Sequence, residues 1–185
     1  MNYDLLSEFL LAGVTFYIAW GEYTSRPGIS LCMASIGVAA LLGALIFSGV
    51  ASADGPHSFI SMLASCAGLP LFAVSLRWHD GELVNRRTAA VRFFLIASGI
   101  CLWMVEVMHL TLWSQLIPAL SALLIMVTAI QSKQLMSILG GITLLVCFTL
   151  NVLAINVYPL DTDQQLHILL SVSFLLLVQK RQRDA

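Results

Sequence analysis

Apolar residues run along this chain in stretches too long for the core of a soluble domain, and short polar breaks divide them into seven. The stretches lie at about 4–20, 29–51, 57–76, 91–109, 112–131, 135–155 and 164–179. A bilayer's hydrocarbon core, roughly 30 Å thick, takes about 20 apolar residues per helix, so each stretch predicts one membrane-spanning helix. The breaks carry turn formers and charge: Glu22 to Gly28, Ala53-Asp54-Gly55-Pro56, Arg77 to Arg87, Gln131 to Gln134, and Pro159 to Gln165. The break from His109 to Trp113 is the weakest, being short and barely polar.

Charge supports the same count. With seven crossings, Arg26 falls in the first connection, Arg77, Arg86, Arg87 and Arg92 belong to the third, Lys133 to the fifth, and Lys180, Arg181 and Arg183 to the tail. All nine basic residues then lie on one side, which the positive-inside rule makes cytoplasmic. Merging the fourth and fifth stretches would put Lys133 and the tail on the wrong face. The expected fold is therefore all-α: one domain over residues 1–185, a seven-transmembrane helix bundle with its N-terminus outside and its C-terminus cytoplasmic. The expected location is the cell (plasma or inner) membrane.

Composition excludes the main alternatives. Of 185 residues, 59% are hydrophobic and 10% charged, and the mean hydropathy is +0.90. An average soluble domain has roughly 45–50% apolar and about 25% charged residues. A water-soluble enzyme, a disordered chain and a nucleic-acid binder do not fit. The first stretch carries Asp4 and Glu8 ahead of any Lys or Arg, so it reads as a span and not as a cleaved leader. The four cysteines, Cys32, Cys66, Cys101 and Cys147, sit inside apolar stretches without CxxC spacing and read as core residues.

Lipid gives helices no hydrophobic drive to associate, so small residues should mark their contacts. Ser35, Ala39 and Gly43 make such a stripe in the second span; Ala64 with Gly68 and Ser137 with Gly141 do so in the third and sixth. Pro70 and Pro118 should kink the third and fifth. Trp20, Trp78, Trp103 and Trp113 lie near span ends, where indole rings anchor at headgroups.

The topology also sorts the ionisable residues. His57, His109 and His167 fall at the outer face, with Asp4, Glu8, Asp54, Glu106, Asp161 and Asp163, while His79 is alone inside beside Asp80. Imidazoles and carboxylates at one depth, without a cation, form a constellation that suits a divalent metal. Glu106 and His109 are spaced i, i+3, and Glu106 lies about one turn below the interface, where a carboxylate is costly unless it faces a cavity. Ser61 and Ser65 follow His57 on its face, Ser171 follows His167, and Ser48 closes the second span. Set against this, a histidine at a helix end is commonly just an interfacial residue. Asp161 and Asp163 read as solvated loop charges and a helix-start signal. Glu22, Asp80 and Glu82 read as balancing the inner arginines.

Seven spans with Phe47-Ser48-Gly49-Val50-Ala51-Ser52 ending the second and His167-Ile168-Leu169-Leu170-Ser171 opening the last resemble the CREST superfamily, which includes the alkaline ceramidases and PAQR receptors. Its members carry Ser-x-x-x-His at the end of span two, an Asp in span three and His-x-x-x-His in span seven. Ser48 and His167 match motif positions; Ser52 and Ser171 stand where two further ligands belong, and Asp54 or His57 stands near the third-span Asp. The resemblance implies a zinc-dependent lipid hydrolase acting at the outer leaflet. In that form His57, His109 and His167 hold the metal, Glu106 or Asp54 takes a proton from its water, and Ser48 helps hold the transition state. A bis-histidine haem between two outer histidines stays open as another reading. So does a non-catalytic module: a scaffold, an assembly partner or homo-oligomer, or a sensor of pH or metal. Membrane lipid is the expected surrounding, and nucleic acid is not an expected partner. A retinal protein lacks its lysine within the last span, and a rhomboid-like protease its nucleophile turn.

Overall fold

The computed structural model describes residues 3–78, 86–153, 155 and 160–178. The regular structure among these residues is helical, without strands. Seven rods follow in chain order: α1 (Tyr3–Glu22), α2 (Pro27–Phe47), α3 (Ala51–Arg77), α4 (Arg87–Val107), α5 (Trp113–Ser132), α6 (Leu135–Val152) and α7 (Thr162–Leu177). The first six are each long and apolar enough to cross a membrane, and α7 is described over 16 residues. This is the make-up of a multi-pass membrane protein. His79, Asp80, Glu82, Pro159 and the tail cations Lys180, Arg181 and Arg183 lie outside the described residues.

Helix ends differ from the hydropathy pattern where backbone chemistry overrides it. The second apolar stretch runs to residue 51, yet α2 stops at Phe47. Gly49 adopts φ 98°, and the Gly49 and Val50 amides donate to the Ile46 and Leu45 carbonyls. That pair of bonds is a Schellman cap, which glycine's freedom at positive φ makes accessible. Pro27 opens α2 at its first turn, where its missing amide hydrogen is not needed.

Pro70 is accommodated by a particular device in α3. A π-turn spans Ala64–Gly68, closed by the Leu69 amide on the Ala64 carbonyl, immediately before Pro70. The wider turn absorbs the register change around a residue without an amide hydrogen. Pro118 lies buried in the second turn of α5.

The outer surface of the bundle carries long aliphatic side chains that a soluble protein would bury. Leu95, Ile96, Leu120, Leu123 and Leu135 point outward, as does Trp20 at 88% exposure. The interior is rich in Ala12, Ala40, Ala67, Ala73 and Ala122, with glycines at close approaches. A Cβ on Gly68 would stand 3.0 Å from Ser35 Oγ, so the small stripes of α2 and α3 do face each other. Gly141 likewise meets Met126 and Ala129 of α5, and Gly140 meets Leu176 and Leu177 of α7. Small residues inside and long aliphatics outside are what lipid as solvent selects.

Neighbouring rods close a ring in the order α1, α2, α3, α5, α6, α7. α4 stands outside it, packed on α2 and α3, with its last turn against α5. Phe72 of α3 and Phe174 of α7 meet edge to face across the ring, with centroids 5.6 Å apart. Around them Leu11, Met33, Ile125 and Leu144 fill the core.

Candidate functional site

The starts of α1, α3 and α7 come together at one end of the ring, and polar side chains tie them there. Asp161 caps α7 by accepting the Gln164 amide at 2.9 Å, as the helix-start reading expects. The Gln164 side-chain amide then donates to Asp4 Oδ1 at 2.7 Å, linking the first turns of α7 and α1. One turn deeper, His167 Nδ1 lies 3.1 Å from Ser7 Oγ. The Ser7 hydroxyl has one hydrogen, which it gives to the Asp4 carbonyl at 2.9 Å, so it accepts from His167 Nδ1–H. In that neutral ring Nε2 is an acceptor, and it faces Glu8 Oε1 at 3.7 Å.

His57 is held in the same way from the other side. Its Nδ1 lies 2.9 Å from the Ala39 carbonyl, which can only accept, so Nδ1 carries the hydrogen and Nε2 is left as an acceptor. α2 approaches α1 at this level because Gly43 has no side chain: a Cβ there would collide with the Glu8 carboxylate.

Glu8, His57 and His167 line a cavity of about 340 Å³ inside the ring, within the roughly 300–1,000 Å³ of small-molecule sites. Ser61, Ser65 and Asp163 add polar lining; Ile36, Phe47, Phe148, Leu170 and Phe174 make apolar walls, and no lysine or arginine among the described residues contributes. Asp163 and Phe47 are exposed and stand at the mouth, whereas Glu8 is 2% exposed. Glu8 Oε2 is buried with no hydrogen-bond partner among the described residues.

The sequence-derived candidates therefore divide. His57 and His167 share the cavity, and Ser61 and Ser65 follow His57 into it as their spacing suggests. His109 does not join them. The Glu106–His109 helical pair needs correction: α4 ends in a π-turn over Trp103–Val107, and His109 sits beyond it at φ 53°. The two residues are thus not successive on one helix face, and both are exposed. Asp54 is exposed in the first turn of the α-helical part of α3, and Ser48 is exposed with its hydroxyl on the Leu45 carbonyl. Ser171 is buried and returns its hydroxyl to the His167 carbonyl.

Among the described residues no three His, Cys, Asp or Glu side chains group as metal ligands. No family model, curated protein or solved structure matches this chain.

Glu8 and Asp163 belong to the outer constellation but carry no assigned role in it, and Ser7 is a member of the site that the sequence reading omits. Glu8 carries a signal in sequence, since a carboxylate more than a turn inside an apolar stretch is costly unless it faces an interior or a cavity. Its partner His167 lies 159 positions away, and nothing local indicates the pairing.

The opposite end has a different chemistry. Arg26 closes a bidentate pair on Glu22, with Nε and Nη2 each 2.6 Å from a carboxylate oxygen, and Ser25 adds a third bond. The Arg87 guanidinium lies 4.2 Å from the Tyr23 ring centroid, bringing the start of α4 to the α1–α2 connection. The buried Glu22 charge at this end is matched within the protein.

Proposed function

We propose that the protein is a seven-span membrane protein, N-terminus outside and C-terminus cytoplasmic, whose outer-side cavity is a non-catalytic binding site for a small ligand. The orientation rests on Arg26, Arg77, Arg86, Arg87, Arg92 and Lys133 falling in alternate connections, away from the start of α1. The binding reading is carried by one observation: Glu8, His57 and His167 line a common cavity whose polar pole is otherwise surrounded by apolar walls. Apolar walls with a few convergent polar groups suit an amphiphile that enters from the outer leaflet or the outer aqueous face.

The test is access. A cysteine at position 61 in a background lacking the four native cysteines, all of them buried, should react with a membrane-impermeant thiol reagent added outside intact cells. Reaction only after the cytoplasmic side is opened would overturn the orientation, and no reaction from either side would overturn the open cavity.

A second reading, the zinc-dependent lipid hydrolase implied by the CREST resemblance, is favoured by the cavity's place between α2, α3 and α7. It is also favoured by the hydrogen bonds that leave Nε2 of His57 and His167 as acceptors. It requires a third ligand from outside the grouping described above. Zinc measured by mass spectrometry on protein purified without added metal separates the two. The binding reading expects none. Stoichiometric zinc in the wild type that is lost in His167→Ala would replace it with the hydrolase.

A further inference from the structure

Four buried polar atoms lack a partner among the described residues: Glu8 Oε2, Ser75 Oγ, Ser98 Oγ and Gln165 Oε1. Glu8 alone among their owners lines the cavity. A lost hydroxyl or amide bond is a modest penalty, whereas a carboxylate oxygen buried without a donor is a severe one. The geometry around it compounds the deficit. Ser7 has spent its hydrogen on the Asp4 carbonyl, and His167 has spent its Nδ1 hydrogen on Ser7. His57 has spent its own on Ala39. What borders the cavity is an acceptor-rich pole without a cation among the described residues: the Glu8 carboxylate, His167 with Nε2 toward Glu8 Oε1, and His57, with the Ser61 and Ser65 hydroxyls as the neutral donors lining the same space. Asp163 at the mouth adds negative charge.

A group that satisfies this pole must bring several hydrogens and a positive charge, and it must fit where the walls are aliphatic and aromatic. A primary ammonium has three N–H donors and one charge. An alcohol brings a single donor and no charge, and a carboxylate or phosphate would meet like charge. We propose that the cavity takes an amphiphile with a protonated primary amine at one end and an aliphatic chain at the other. Glu8 is its counter-ion, His167 accepts a second N–H, and the chain lies along Phe148, Leu170 and Phe174. This rests on the outer-side binding cavity proposed above and names its ligand class. Gly43 is part of the recognition, because only a residue without Cβ leaves the Glu8 carboxylate room beside α2.

The experiment uses a long-chain primary amine with a photoreactive diazirine in mid-chain, applied to the full-length protein in nanodiscs. Crosslinked positions are mapped by mass spectrometry. The expected result is saturable labelling on α6 and α7 near Phe148 and Leu170. It should be competed by unlabelled alkylamine and weakened at least about tenfold by Glu8→Gln, the loss expected for a hydrogen bond to a charged group. Glu8→Asp keeps the carboxylate and should retain the preference for amine over alcohol, which separates loss of charge from loss of fold. Equal competition by the alcohol of the same chain length, or labelling unchanged in Glu8→Gln, would overturn the ammonium assignment while leaving the cavity in place. Absence of labelling at these positions by amine and alcohol diazirine probes alike would remove the cavity reading itself.

Discussion

The two ends of this bundle treat charge in opposite ways. At the end holding the α1–α2 connection, Glu22 is clasped by Arg26 and Ser25, and Arg87 rests on Tyr23. At the other end Glu8, equally buried, has no cation within the described residues and one oxygen without a donor. Packing follows the same division. Gly140 near the first end stands against Leu177, backbone included, whereas Gly43 near the second stands only against the movable Glu8 carboxylate. One end is closed by its own residues. The other keeps a space and an unmet demand for donors, a pattern expected where stability is given up locally for binding.

This contrast makes ordered predictions, each read as the unfolding midpoint in detergent without added ligand. The largest effect belongs to Arg26→Met, which strips two short charged hydrogen bonds from a buried Glu22 and should destabilise by about 2–3 kcal/mol. A shift within error would mean that end is not held by its ion pair. Next, Gly140→Ala should cost about 1–2 kcal/mol, since its Cβ meets Leu177 Cγ at 2.9 Å and the Leu177 backbone nitrogen at 3.1 Å. Gly43→Ala, which displaces only a side chain, should cost less. The reverse order would show that the cavity end is the more tightly packed. Ser7→Ala leaves His167 Nδ1–H without its acceptor and should cost about 1 kcal/mol. The same change should also weaken amine labelling, because the ring is no longer fixed with Nε2 toward Glu8; unaltered labelling would show that Ser7 does not position His167.

Much of the fold is legible in the apolar pattern, because a span's length is set by the bilayer and its breaks by turn chemistry. The expected stretch at 112–131 appears as Trp113–Ser132, and that at 135–155 as Leu135–Val152. Even the weak break after Val107 is real, made by a π-turn and a left-handed His109 where polar residues are few. What hydropathy does not carry is how the spans are arranged. That α4 stands outside the ring, and that Phe72 meets Phe174 across it, depends on contacts between distant segments. The site was half legible for the same reason. His57 and His167 stand out as polar residues opening apolar spans. His109 stands out in the same way, closing an apolar span instead of opening one, but α4 stands outside the ring and His109 lies beyond the π-turn that ends it. Glu8 had the right cost but no visible partner, since Ser7, Gly43 and His167 come from three helices.

The central claim is that the Glu8 pole is incomplete without something from outside the protein. Replacing Glu8 by Met, similar in length and apolar, tests it most directly against Arg26→Met, measured as thermal unfolding of the ligand-free protein. Removing an unsatisfied buried carboxyl should leave stability unchanged or raise it by about 1 kcal/mol. A loss as large as that of Arg26→Met would show that Glu8 is already satisfied within the fold, and would contradict the claim.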